Sequence, residues 1–167
     1  MTKREATIQR KTAETEIELT VVIDGEGGTL IPGFFDMHSH TTFQSGLLDL
    51  AAGVTSTRDL GNQNTVLNEI KQEIDSGKLA GPRIKPAGLI EGRSQYSTNN
   101  GFIVDSLDKA LEAVRWYADQ GYFEIKTYNS MNPDWMIPIV EEANRLGLGV
   151  SGHVPAFASA NDLIEAG

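Results

Sequence analysis

Apolar residues along the chain follow two alternating patterns. Short strand-like segments predict β-strands at residues 33–40, 53–59, 83–90, 122–128 and 148–153. Apolar residues spaced three or four positions apart predict α-helices over 64–79, 106–120, 133–146 and 160–166. A strand followed by a helix, repeated at about 30 residues per unit, is typical of parallel βα folds.

Two architectures satisfy this alternation, an open doubly wound sheet and a (β/α)8 barrel. The strand at 33–40 is not followed by a glycine-rich phosphate-binding loop, which argues against a nucleotide-binding sheet. A complete barrel needs about 250 residues, whereas the chain has 167. The sequence therefore predicts an α/β fold with a partial TIM-type (β/α) barrel, about five of the eight βα units.

The first 30 residues have a different character, because they are rich in Thr, Glu, Lys and Arg. Only residues 17–23 resemble a strand there, and a turn cluster follows at 24–28. We therefore divide the chain into a short β segment, residues 1–30, and the barrel part, residues 31–167.

Composition narrows the partners. The formal net charge of −9 argues against nucleic acid and against an anionic membrane surface. The sequence has no cysteine, so any metal would be held by nitrogen and oxygen ligands, which suit Zn, Mn, Fe and Ni. Neither the apolar core of a signal peptide nor a long apolar run is present, which predicts a cytoplasmic protein.

The chain has three histidines, and each stands at the end of a predicted strand. His38 and His40 are two residues apart, so in a strand they point to the same face. His153 ends the strand at 148–153 in the sequence Ser-Gly-His-Val-Pro. A polar strand end is the alternative, but catalytic groups gather at this end of βα strands, so the pattern favours a metal site.

Lys126 lies near the end of the strand at 122–128 and is a fourth candidate metal ligand. A solvated lysine, or one paired with Glu124, is the alternative. Near a divalent cation, a neutral amine can add carbon dioxide and become a carbamate, an anionic oxygen donor able to bridge two metals. Tyr128, two residues later, is a candidate donor to a developing oxyanion.

Strand alternation predicts which other side chains support this site. If His38, Lys126 and His153 face the interior, then the residues two positions earlier in the same strands face it too. These residues are Asp36, Glu124 and Ser151. Buried carboxylates need partners, so we predict a polar network with Arg58 or Lys85 beneath the metal.

The polar segments that follow two strands supply candidates for contact with a substrate. The long loop at 91–101 carries Arg93 and Tyr96, although a flexible solvated loop is the alternative. Asp59 and Asn62, at the end of the strand at 53–59, are weaker candidates.

Together these motifs resemble the metal-dependent amidohydrolase superfamily, and most closely its prolidase-like and imidazolonepropionase-like branch. The motifs are HSH after LIPGFFD, GVTSTRDLGN on the second strand, KTYN on the fourth and SGHVP on the fifth. The resemblance runs from about Val21 to the last residue. It implies that residues 1–30 belong to the β-sandwich domain that precedes the barrel in this superfamily.

The resemblance also implies site roles. His38, His40 and His153 would bind zinc, as one or two ions, and a carboxylated Lys126 would bridge a binuclear centre. The superfamily also uses a histidine on the sixth strand and an aspartate on the eighth, and this sequence contains neither.

The function expected from the resemblance is metal-dependent hydrolysis of a C–N bond in a small molecule: an amide, a cyclic amide or a dipeptide. Two alternatives stay open. The chain could be a truncated, non-catalytic fragment that self-associates or needs the missing C-terminal half of the barrel. It could also be a metal-binding α/β domain without hydrolase activity.

Overall fold

The computed structural model describes residues 4–11, 16–23 and 31–167, and the chain divides into two compact units, Met1–Pro32 and Gly33–Gly167. The first unit contains strands β1 (Arg4–Lys11) and β2 (Glu16–Ile23), which pair antiparallel. The sequence pattern predicted β2 but not β1, because polar residues dominate the β1 sequence REATIQRK. Assignment of this pair to a sandwich domain stays a prediction.

The second unit is a parallel sheet with helices between its strands. Its elements are β3 (Phe34–Ser39), α1 (Ser45–Ala51), β4 (Val54–Asp59), α2 (Asn64–Asp75), β5 (Arg83–Gly92), β6 (Phe102–Val104), α3 (Leu107–Asp119), β7 (Glu124–Thr127), α4 (Met136–Arg145), β8 (Gly149–Gly152) and α5 (Ala160–Ala166). The sheet order is β3-β4-β5-β7-β8, and β6 pairs with β5. This curled half-barrel confirms the predicted α/β class and is consistent with part of a TIM-type barrel.

The core lies between the sheet and helices α2, α3 and α4. Ile70, Val114 and Ile139, one from each helix, are completely buried against the strands. These positions follow the helical spacing seen in the sequence, which is why the pattern located the three helices correctly. None of the described helices is both long and apolar enough to cross a membrane.

Helix α1 and strand β6 were not predicted. The leucines of α1 give no periodic signal of burial, since Leu47 and Leu48 are 63% and 70% exposed. Strand β6 has three residues, which is too short for its alternation to stand out from the loop before it.

Two buried tyrosines make the second unit sensitive to alkali. Burial raises the pKa of Tyr122 from 10.0 to about 12 and that of Tyr117 still further. The Tyr117 hydroxyl donates to the Leu89 carbonyl at 2.8 Å. Above pH 10 the folded state therefore keeps these phenol protons while the unfolded state releases them. The contribution of the two phenols to the free energy of unfolding is complete below pH 10 and declines toward pH 12.

We expect the urea midpoint to fall as the pH rises through this range, in step with the ultraviolet absorbance of phenolate. Tyr117→Phe, which removes one of the two protons, should make the decline shallower. A midpoint independent of pH up to 12 would contradict the burial of these phenols.

Candidate metal centre

Four side chains from three strands and the residues that directly follow them line one cavity of about 250 Å3 at the carboxyl end of the sheet. His38 lies in β3 and His40 follows it, Lys126 lies in β7, and His153 follows β8. The carboxyl ends of parallel strands share one edge, so this topology brings together residues that are far apart in sequence. Tyr128 lines the same cavity.

Two of the imidazoles are oriented by oxygen atoms behind them. The Nδ1 atom of His40 lies 2.6 Å from the carbonyl oxygen of Gly61, which can only accept, so Nδ1 carries the proton. The Nδ1 atom of His153 lies 2.9 Å from Oδ1 of Asn129. In both rings Nε2 is left as the free nitrogen, and metal-binding histidines are usually held in this way.

Asp59 supports the His40 side of the site. Its carboxylate is completely buried and accepts hydrogen bonds from the backbone N–H of Thr41 at 2.7 Å and of Gly61 at 3.1 Å. Asn62 Nδ2 donates to the same carboxylate at 3.0 Å. Asp59 and Asn62 therefore fix the turn whose carbonyl orients His40, and they do not line the cavity.

Lys126 is a buried residue at the cavity, with 3% relative exposure. Burial, followed by the positive charge of Arg58, holds the lysine pKa below its usual value. A lowered pKa enlarges the fraction of neutral amine, which is the form that reacts with carbon dioxide.

His153 and Tyr128 form the wall beside Lys126. Burial and the nearby charges of Lys126 and His38 lower the pKa of His153, which favours the neutral imidazole that a metal requires. The Tyr128 ring lies 4.3 Å from the His153 ring and 5.5 Å from the lysine Nζ.

Most of the predicted polar network is present below the cavity. The Arg58 guanidinium donates to both carboxylate oxygens of Glu124, the Nε–Oε2 distance being 2.9 Å. It also reaches the Ser151 hydroxyl at 3.2 Å. Lys85, the other predicted basic partner, is exposed and is not part of the network.

The prediction that Asp36 joins this network is wrong. The pairing of β3 with β4 shifts register between Asp36 and Ser39, so regular alternation does not continue from His38 back to Asp36. Asp36 is in register with Thr57, and its negative charge helps to raise the pKa of Asp49 in α1. Its carboxylate accepts from the backbone N–H of His38 at 2.9 Å.

The loop after β5 reaches the cavity through residues that the sequence analysis did not single out. Thr98 and Asn100 line the histidine cavity, whereas the predicted Arg93 and Tyr96 line a larger neighbouring cavity. Polar loop residues have no periodicity, so no pattern distinguished Thr98 from its neighbours. Asn129 was missed for the same reason.

Both ends of this loop are fixed where backbones touch. A Cβ atom on Gly92 would lie 1.9 Å from the Ser130 carbonyl oxygen, and one on Gly101 would lie 2.1 Å from the Leu89 carbonyl oxygen. Gly101 also has φ = +66°, which L side chains rarely adopt. Glu91 accepts from the backbone N–H of Ser130 at 2.7 Å and joins the same two segments.

The chemistry of the donors fits a divalent metal, although the described residues do not form a complete set of ligands. Within the described part of the chain, no three His, Cys, Asp or Glu side chains are grouped closely enough to hold an ion. The His38 and His40 ring centroids are 5.4 Å apart. The oriented Nδ1 atoms and the lowered pKa values of His153 and Lys126 nevertheless favour nitrogen ligation.

Curated proteins that resemble part of the sequence are imidazoleglycerol-phosphate dehydratases. The Haloarcula marismortui enzyme is 39% identical over 69 residues, 40% of this chain and 35% of that protein. The Moorella thermoacetica enzyme is 35% identical over 116 residues, 66% of this chain and 53% of that protein. The chain thus spans from about a third to about half of these relatives, and no protein-family profile matches it.

Solved structures with a similar fold include hydrolases. They include ochratoxinase from A. niger, with TM-score 0.64, 22% identity and coverage of 81% of this chain and 45% of that one. A Xaa-Pro dipeptidase with methionine bound in its active site has a TM-score of 0.67 and 20% identity, and the match covers 99% of this chain and 60% of that one. Bottromycin amidohydrolase has a TM-score of 0.67 and 24% identity, and the match covers 84% of this chain and 35% of that one. At these identities the similarity shows a shared fold, of which this chain has a part.

Proposed function

We propose that the chain carries part of the active site of a metal-dependent hydrolase that cleaves C–N bonds of small molecules. The observation that carries this proposal is the paired arrangement of His40 and His153. Each ring has its Nδ1 atom held by an oxygen, at 2.6 Å and 2.9 Å, and each lines the cavity that contains Lys126. A histidine with only a structural role does not require a free Nε2 atom in a polar cavity that it shares with a second histidine and a lysine.

In this proposal His38, His40 and His153 would hold one or two zinc ions, with a carboxylated Lys126 as a bridging ligand. The carbamate forms when the neutral amine nitrogen bonds to the carbon of CO2 and releases one proton. When bound, the metal would polarise the carbonyl group and lower the pKa of the attacking water.

The remaining groups would hold the substrate and the ligands in place. The Tyr128 hydroxyl would donate to the carbonyl oxygen as charge develops there. Thr98 and Asn100 would contact the substrate from the loop after β5. The pair of Arg58 and Glu124 would keep the ends of β4 and β7 in register below Lys126.

The fold neighbours support an amide or dipeptide substrate. One is named as a Xaa-Pro dipeptidase and holds methionine in its active site, and another is named as an amidohydrolase. The chain covers 45% of ochratoxinase and 35% of bottromycin amidohydrolase, so it has only part of the fold of these neighbours. We therefore propose that further barrel strands, or a second copy of the chain, complete the site beside β3 and β8, the terminal strands of the described sheet.

The proposal predicts that the purified chain binds about one or two equivalents of zinc and that chelation removes any amidase or dipeptidase turnover. Metal content measured by mass spectrometry, followed by dialysis against a chelator and reconstitution, checks both statements. Lys126→Ala should lower the stoichiometry of a binuclear site. Binding of zinc to the His38→Ala variant with unchanged affinity would contradict the proposal.

The sequence relatives offer a second candidate, dehydration of imidazoleglycerol phosphate. The specific observation in its favour is 39% identity over 69 residues. The hydrolase is preferred because its fold neighbours cover 81–99% of this chain, compared with 66% or less for these dehydratases. Incubating the same zinc-loaded protein with imidazoleglycerol phosphate decides between them, since the hydrolase proposal expects no loss of that substrate.

A further inference from the structure

A second cavity of about 720 Å3 adjoins the histidine cavity. Loops after β5, β7 and β8 form it, and three of its lining residues are aromatic: Tyr96, Trp135 and Phe157. Its volume lies in the usual range for small-molecule pockets, roughly 300–1,000 Å3. Buried Met131 and Val104 also line the cavity.

Phe157 has an unusual conformation at this cavity. Its φ angle is +71°, and among the described residues it is the one non-glycine residue with a positive φ. A bulky side chain in this region of φ strains the backbone. The ring is fully exposed, so no packing within the described chain offsets the strain. Strain that presents an aromatic ring to solvent beside a pocket is typical of a ligand contact.

The wall between the two cavities is built from hydrogen bonds. Asn129 lines the larger cavity and bonds His153 through its side chain at 2.9 Å. Its carbonyl oxygen accepts from the backbone N–H of Ala156, next to Phe157, at 2.8 Å. The hydroxyls of Ser94 and Ser130 are 2.8 Å apart and join the loop after β5 to the loop after β7. A group bound in the larger cavity therefore lies beside Asn129, which contacts the candidate metal ligand His153.

The charged groups of the larger cavity have partners within the protein. Arg93 and Asp105 both line it at an N–O distance of 3.7 Å, and Asp105 also bonds Lys109 at 2.6 Å. The remaining polar groups there are serine hydroxyls and asparagine amides, which hydrogen-bond uncharged amides.

We propose that this cavity binds the aromatic or branched apolar side chain of an uncharged amide substrate, with Phe157, Trp135 and Tyr96 as its contacts. The inference rests on the proposed function only in placing the amide bond at the histidine cavity. Binding of the side chain itself needs no metal.

The test is a titration of the full chain with N-acetyl-L-phenylalaninamide in the presence of a chelator, followed by tryptophan fluorescence, because Trp135 lines the cavity. N-acetylglycinamide is the matched ligand without a side chain. We expect saturable binding of the first ligand only. Phe157→Ala and Phe157→Gly should weaken it about five- to tenfold, and Phe43→Ala, at another exposed phenylalanine, should leave it unchanged.

Phe157→Gly separates ligand binding from folding, because glycine relieves the positive φ. Its melting midpoint should equal or exceed that of the parent while its affinity falls. Equal affinity of all variants, or equal binding of both ligands, would overturn the inference. Side-chain-dependent binding by a chain that binds no zinc would keep the inference and remove the proposed function. Zinc binding by a chain that shows no side-chain-dependent binding would do the reverse.

Discussion

Replacing Arg58 by methionine is expected to destabilise the second unit by about 3 kcal/mol or more. The Glu124 side chain is 5% exposed, and the Arg58 guanidinium donates to both of its carboxylate oxygens. Removing the guanidinium leaves a buried negative charge without its partner. The free energy of unfolding from a urea titration measures the effect, and folded domains have only about 5–15 kcal/mol in total.

Arg115→Met is the matched control. Arg115 also pairs with a glutamate, Glu142, at 2.6 Å, but its side chain is 52% exposed. Exposed pairs contribute little, so this variant should stay close to the parent. The double variant Arg58→Met with Glu124→Leu should recover part of the loss, because no unpaired charge remains. Equal effects of Arg58→Met and Arg115→Met would show that the Arg58–Glu124 pair is not held in a buried setting.

Replacing His40 by alanine is expected to lower the affinity for zinc by about 100-fold or more, because it removes a direct ligand of the proposed centre. The His40 side chain is exposed at the cavity, so the urea midpoint should change little. Competition with a zinc chelator of known affinity measures the loss.

Asn129→Ala tests the orientation of the opposite ligand. It removes the oxygen that lies 2.9 Å from Nδ1 of His153 but leaves the imidazole in place, so the loss should be smaller, about tenfold. Phe43→Ala changes an exposed residue near His40 in sequence and should bind zinc as the parent does. If His40→Ala and Phe43→Ala bind zinc equally well, His40 is not a ligand.

Most of the parallel sheet was predictable, because short strand-like segments alternate with segments of helical spacing along the chain. The bounds of β4 and β8 differ from the predicted ones by one residue at each end or less. The convergence of His38, Lys126 and His153 was predictable for a related reason: once strands are known to be parallel, their carboxyl ends must meet.

Features that depend on tertiary detail were not predictable. The register shift in β3 changes the face of Asp36, and nothing in the sequence FFDMHS marks it. The partners that orient the histidines, the Gly61 carbonyl and the Asn129 amide, lie in turns with no hydrophobic pattern. A search of the turns that follow the strands for hydrogen-bonding groups near each histidine would have proposed Asn129.

The loop after β5 has consequences for redesign. Gly92 and Gly101 cannot accept a side chain without displacing a neighbouring backbone, whereas most side chains between them are exposed or half-buried. A combinatorial library over residues 93–100 can therefore exchange the surfaces facing both cavities while its anchor points stay constant. Selectivity for new compounds should evolve faster there than in the strands, where each substitution also disturbs folding.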